Sequence, residues 1–198
     1  MARVKLDPMF LSISGTLGDV VFRHHADGSV SMCKKSLPAP GFVPSPAQVE
    51  TRARFKAAAA QCHVLKQDPD KLAAYRLLTE KRGPLSRVRA TMIADILQPP
   101  TISALDLSEY HGKAGDTICV TAEETVAIAR LSLTIRDVEA DKVIETAGQI
   151  SEVDQLATSM AWAYTTRVTV PAGHRVEVIA TASDLAGNQV ETRQVALE

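Results

Sequence analysis

Cysteine is scarce in this chain. The three present in 198 residues, Cys33, Cys62 and Cys119, are odd in number, far apart and without a C-x-x-C spacing. That argues against a disulfide framework, a zinc knuckle or a redox pair. Long apolar runs are missing as well: no window approaches the roughly 18 residues that a membrane span requires. The opening MARVKLD lacks the basic stretch followed by an apolar run of a secretory signal. The chain is therefore expected in the cytoplasm on synthesis, reaching a virion or an exported assembly only by a dedicated route. Catalytic signatures are also wanting. There is no G-x-S-x-G, no G-x-x-x-x-G-K-[ST] and no G-x-G-x-x-G, and SGTLGD, Ser14 to Asp19, is not followed by a helix. A non-enzymatic protein without cofactor or metal is the expectation.

Net charge is close to nil at −1, but its distribution is not even. Residues 1–98 carry 15 Lys and Arg against 8 Asp and Glu, a balance of +7, and residues 99–198 carry 7 against 15, a balance of −8. Halves of opposite sign suit either an anionic partner for the first half or a basic end of one copy meeting the acidic end of the next.

The hydrophobic pattern changes along the chain. Leu11 and Ile13, Val20 and Phe22, and Val30 and Met32 alternate as strands do, with a hairpin signal at Asp27-Gly28. Gly15 and Gly18 interrupt the run where a backbone without Cβ can bend or approach another chain. After the proline-rich SLPAPGFVPSP, Ser45-Pro46-Ala47-Gln48 reads as a helix start. The helix running to about Lys66 bears two apolar stripes, Val49, Ala53, Ala57, Ala60 and Val64, and Phe55, Ala58, Cys62 and Leu65. A second helix starts near Asp68-Pro69 and stops at Gly83-Pro84, and a third covers about Leu85 to Leu97. At QPPT, Gln98 to Thr101, two prolines forbid continuation and the period falls to two. Seven strands are expected after it, at 102–107, 116–121, 126–136, 142–147, 160–170, 175–183 and 189–197. Leu131, Leu133 and Ile135 mark one inward face, Val176, Val178 and Ala180 another, and Met160, Trp162 and Tyr164 a third.

The ending VEVIATASDLAGNQVETRQVAL, with Asp184, Ala186, Gly187 and Asn188 at its turn, resembles the last hairpin of bacterial immunoglobulin-like domains. The resemblance covers the C-terminal half. It implies a β-sandwich acting as a spacer, adhesive module or surface decoration, including on phage particles. The chain departs from the antibody type in lacking the core Cys pair, and Trp162 falls late. The segment ISGTLGDVVF…DGSV is similar to the opening of uncharacterised prokaryotic proteins with a glycine-punctuated hairpin, a likeness that implies no activity.

The remaining candidate chemistry is thin. His24 and His25 are adjacent on a strand and point to opposite faces, and Cys62 and His63 diverge on a helix. The acidic loop Asp137 to Lys142 has no glycine at the sixth position of a calcium loop and Gly148 at its twelfth, so it reads as a hairpin turn. Asp184 and Asn188 can offer oxygens to a cation but also serve their own turn. Arg52, Arg54, Lys56, Arg87 and Arg89 are the candidate anion-binding residues, although no aromatic residue is interleaved among them to stack on bases. Taken together, these features predict an α+β module at 1–98, a β-hairpin plus about three helices, followed by an all-β immunoglobulin-like sandwich at 99–198. The expected role is self-assembly as a virion, tail-like or filament subunit. A lone hairpin is marginal in water, so the assembly surface is placed on Phe10, Leu11, Ile13, Gly15, Gly18, Val20 and Phe22, with Phe55 on the first helix. The alternative is a monomeric or dimeric adaptor whose basic helices hold nucleic acid or another anionic partner.

Overall fold

The structure, a computed structural model, describes residues 2–4, 13–25, 27–38, 40–151 and 156–196. The chain is α+β with antiparallel sheets and divides into two compact units, Met1–Pro46 and Ala47–Glu198.

In the first unit, β1 (Ala2–Val4), β2 (Gly15–Leu17), β3 (Val20–His24) and β4 (Val30–Lys34) form one sheet in the order β1-β4-β3-β2. Gly18 and Asp19 make the two-residue turn between β2 and β3, and Gly18 takes a φ of +58° that a side chain would resist. Gly28, at φ +78°, turns β3 into β4, helped by Asp27 Oδ1 accepting the Ser29 N–H at 2.9 Å. The strands therefore find partners within the chain: Val20 and Phe22 pair with Lys34 and Met32 on one side and with Leu17 and Gly15 on the other. This corrects the expectation of a hairpin without a local sheet. The missing piece is β1, which has no turn signal of its own and pairs with a strand about thirty residues away. Phe10 and Leu11 lie outside the described residues, and Ile13 precedes β2 without belonging to a strand.

The second unit opens with α1 (Pro46–Leu65), α2 (Pro69–Arg82) and α3 (Val88–Leu97), the last preceded by a 3₁₀ turn at Leu85–Arg87. Asp68 caps α2 by accepting the N–H groups of Asp70 and Lys71 at 3.0 and 3.2 Å, with Pro69 at the first helical position, where it has no donor to lose. Strands β5 (Thr101–Asp106), β6 (Thr117–Asp137), β7 (Lys142–Ile150), β8 (Ala157–Thr165), β9 (Val176–Asp184) and β10 (Gln189–Ala196) form a six-stranded antiparallel sheet curled into a half-barrel. Two strands expected at 116–121 and 126–136 are one continuous strand. Its buried residues are even-numbered from Ile118 to Val126 and odd-numbered from Leu131 to Ile135, with Ala127 and Ile128 both buried at the changeover. A register shift between Ile128 and Arg130 makes that change of face, as a bulge must when the side-chain period is two. The first half of β6 thus pairs with β5 and β8 and the second half with β7 and β9.

Two apolar cores sit in this unit. One lies inside the strands, on Ile118, Val120, Leu131, Leu133, Val178 and Ala180, with Met160 and Trp162 packed against it. The other joins helices to strands: Ala58, Cys62, Tyr75, Leu78 and Met92 meet Val126, Ala127 and Ala186. Pro100, expected to separate two domains, is itself fully buried. The division between the compact units falls at Pro46, and α2, α3 and the Ala58, Cys62 and Leu65 side of α1 share a core with β6 and the β9–β10 turn.

Candidate functional site

The helical layer is fastened to the sheet by a buried polar junction. Asp95 stands on α3 in phase with Val88 and Met92 and is fully buried. Its Oδ2 accepts the hydroxyl of Tyr75 from α2 and, at 2.9 Å, the backbone N–H of Ala186. The Asn188 side-chain amide donates to the Asp95 carbonyl at 2.9 Å and to Asp184 Oδ2 at 2.7 Å. Asp184 Oδ1 in turn accepts the N–H groups of Gly187 and Asn188, each at 2.8 Å, so the Asp-Leu-Ala-Gly-Asn turn satisfies its own backbone as Asx turns do. Burial raises the Asp95 pKa to about 7, with the charges of Asp184 and Glu124 adding to the rise and the Tyr75 hydrogen bond opposing it. Tyr75 is pushed far above its ordinary value by burial and then by the Asp95 charge.

Glu124 carries this acidic character to the surface. It sits on β6 in the inward phase and is 7% exposed. Oε2 accepts the Val126 N–H, while Oε1 has no hydrogen-bond partner among the described residues. Burial raises its pKa too, against the lowering effect of the Val126 and Ala127 N–H groups. Glu124 lines a groove of about 400 Å³ with Pro99, Thr101, Glu123, Thr158 and Ser159. The strand register explains the groove's composition: Thr101 of β5 and Ser159 of β8 both lie opposite Glu123 of β6. Arg82 of α2, which reaches this bend of β6, is spent on the carbonyls of Thr125 and Val126 at 3.1 and 2.7 Å.

The anticipated site residues are divided between the two compact units. Val20 and Phe22 are half-buried on β3, whereas Phe55 is 53% exposed on α1 in the other compact unit. Arg52, Arg54 and Lys56 are exposed on α1, Arg87 in the 3₁₀ turn and Arg89 on α3. None of the five makes an ion pair among the described residues. His25 Nε2 meets Ser31 Oγ at 2.8 Å, and Cys62 is buried against Met92 while His63 is exposed. Asp137, Glu139 and His174 bring ligand atoms within 4.8 Å of one another. Their oxygens are engaged, however: Asp137 takes the Ala140 N–H at 2.9 Å and His174 Nδ1 at 2.7 Å, and Glu139 takes the Arg175 N–H at 2.7 Å and its Nε at 2.9 Å. That constellation is an ion-paired turn, which agrees with the hairpin reading of the loop.

Asp95 and Glu124 escaped sequence reasoning although each has a legible signal. An acid on the buried phase of an otherwise apolar element is the exception that demands a partner. No family model, curated protein or solved structure matches the chain.

Proposed function

We propose that this chain is a non-enzymatic structural subunit that assembles with copies of itself, as part of a virion, a tail-like structure or a filament, with its β-rich part as an immunoglobulin-like module. The observation that carries the reading is the free face of α1. Val49 and Val64 are 54 and 63% exposed on a helix whose other side is anchored by Ala58, Cys62 and Leu65, and Phe55, at the edge of that anchored side, is itself 53% exposed. At roughly 100° per residue, the stripe of Val49, Ala53, Ala57, Ala60 and Val64 lies about 150° around the helix from that anchored side. Apolar surface held out in this way is what an interface supplies before its partner arrives.

The strand order supports the immunoglobulin-like reading. With β6 counted as two successive strands, β5, its first half and β8 form one group, and β7, its second half, β9 and β10 form the other, as in a sandwich of that type. A non-catalytic role is supported by the burial of Asp95 and Tyr75, whose shifted acidities lie out of a substrate's reach. Sedimentation velocity over a wide concentration range is the test. The proposal expects species larger than the 21.3 kDa chain that dissociate on dilution, and a monomer at every concentration overturns it.

The adaptor reading keeps one specific support, Arg52, Arg54 and Lys56, exposed on the same helix and without an ion pair among the described residues. It expects binding to a DNA duplex that weakens steeply with salt, and absence of such binding at low salt removes it.

A further inference from the structure

The acidic groove at the bend of β6 and the basic flank of α1 have complementary needs. Glu124 is more than nine-tenths buried, lines the groove, and has one carboxylate oxygen without a partner among the described residues. A buried unpaired acceptor costs free energy until a donor reaches it. Glu123 adds an exposed carboxylate beside it, and the hydroxyls of Thr101, Thr158 and Ser159 add acceptors along the same opening. Behind Glu124 the carboxylates of Asp184 and Asp95 contribute further negative potential. The groove is therefore built for a cationic donor.

A divalent ion suits it poorly. Among the described residues only Asp137, Glu139 and His174 bring three ligand atoms within 4.8 Å of one another, and calcium requires six to eight oxygens closing around one point. A guanidinium spreads its charge over a planar fork of donors and can reach one carboxylate and several hydroxyls at once. We propose that the groove lined by Glu123, Glu124, Thr101 and Ser159 receives a basic side chain from α1 of a second copy of this chain, with Arg52 and its neighbour Lys56 as the donors. The inference rests on the self-assembly reading and names its contact.

Charge selects this partner. Residues 1–98 hold the balance of +7 and residues 99–198 that of −8. Arg52 and Lys56 are four residues apart and so share one flank of α1, next to its exposed apolar stripe. Pairing α1 with another α1 sets that flank against the same positive flank when the helices run antiparallel, and offers Glu50 as the one acid of each helix in either direction. Docking on the acidic groove avoids the repulsion. It joins two different surfaces, so the contact is head-to-tail and propagates into a ring or an open polymer.

The test uses the intact, ¹⁵N-labelled chain and a synthetic peptide of its own residues 46–66. The peptide should shift the amides of Thr101, Glu123, Thr125 and Ser159, lose affinity as salt is raised, and dissociate the assemblies. Glu124 also holds the Val126 N–H, so the informative variant is at the exposed Glu123. Glu123→Lys should keep the amide spectrum of the fold and weaken the peptide about tenfold, and a peptide carrying Arg52→Glu and Lys56→Glu should bind Glu123→Lys better than the native chain. Shifts confined to another face, or equal affinity for Glu123→Lys and native chain, overturn the proposal. An oligomer unchanged by Glu123→Lys also overturns the groove contact while leaving self-assembly standing. A chain monomeric at all concentrations removes self-assembly, and the peptide titration then judges the groove by itself.

Discussion

The backbone N–H of Ala186, in the turn between β9 and β10, donates to Oδ2 of Asp95 on α3 across 2.9 Å, linking positions 91 residues apart. With the Tyr75 hydroxyl on the same oxygen and Asn188 on the Asp95 carbonyl, one carboxylate fixes two helices to the tip of a hairpin. Polar groups so placed define one register between layers, because a shift of either leaves buried donors and acceptors unmatched.

Asp95 should make stability depend on pH in the opposite sense to an ordinary surface carboxylate. Its pKa rises from 3.8 in the unfolded chain to about 7 in the folded one, mainly through burial. Between those values the folded chain holds a proton that the unfolded chain has released. Stability from this group is thus full below about pH 4 and declines as pH rises towards 7, by roughly 4 kcal/mol at most. Glu124 and Asp184, also raised by burial, act in the same direction. Asp95→Asn keeps an oxygen for Tyr75 and Ala186 and removes the charge. Urea midpoints measured from pH 4 to pH 8 should fall for the native chain and flatten for the variant; an unchanged slope refutes the assignment.

Asn188 is the second fastening. Its amide serves Asp95, Ile96 and Asp184 at 2.9, 3.4 and 2.7 Å. Asn188→Ala strips these donors from acceptors that are largely buried, which should cost about 1 to 3 kcal/mol in chemical denaturation. Asn188→Asp should be worse at neutral pH, since it replaces the donors with a carboxylate beside Asp184. If both variants match the native midpoint, the junction does not hold the layers together.

The helices and most strands of the second unit were legible because their signals are local. Asp68-Pro69 starts α2, Gly83-Pro84 ends it, and Leu131, Leu133 and Ile135 alternate as the buried face of a strand. What escaped depends on pairing across the chain. β1 is three residues long and is defined by Val30 to Met32, not by its own composition. The continuity of β6 through Glu124 and Thr125 depends on which strands flank it on each side. The same holds for the candidate site: Asp95, Glu124 and Asp184 all occupy buried phases in the sequence pattern, but that they face one electrostatic neighbourhood is a property of the packed layers.

Trp162 lies on β8 with its ring centroid 5.4 Å from that of Tyr164, the planes tilted by 52°, and both pack on the strand core. Such tilted pairs add to area burial. Trp162 is half-buried, so Trp162→Ala should cost about 3 kcal/mol, the low end for a buried aromatic. A variant that keeps its melting temperature but loses self-association would transfer Trp162 to the interface.

The two candidate assembly surfaces can be separated by removing the first compact unit. A fragment of residues 45–198 retains Ser45 and Pro46 at the start of α1 and both apolar cores. It should unfold cooperatively. A fragment of residues 99–198 keeps the strand core but uncovers Val126, Ala127 and Ala186, where α1, α2 and α3 pack, and should unfold at lower urea. Assembly then discriminates. Because β3 and β4 are paired on both sides and β1 and β2 each on one, Val20 and Phe22 already have strand partners within the chain, whereas the Val49 and Val64 side of α1 is exposed. The 45–198 fragment should therefore self-associate with nearly the native concentration dependence, and adding Phe55→Asp and Val49→Asp, both at exposed positions, should abolish the association without lowering the urea midpoint. A monomeric 45–198 fragment beside an oligomeric intact chain returns the interface to Val20, Phe22 and the first sheet.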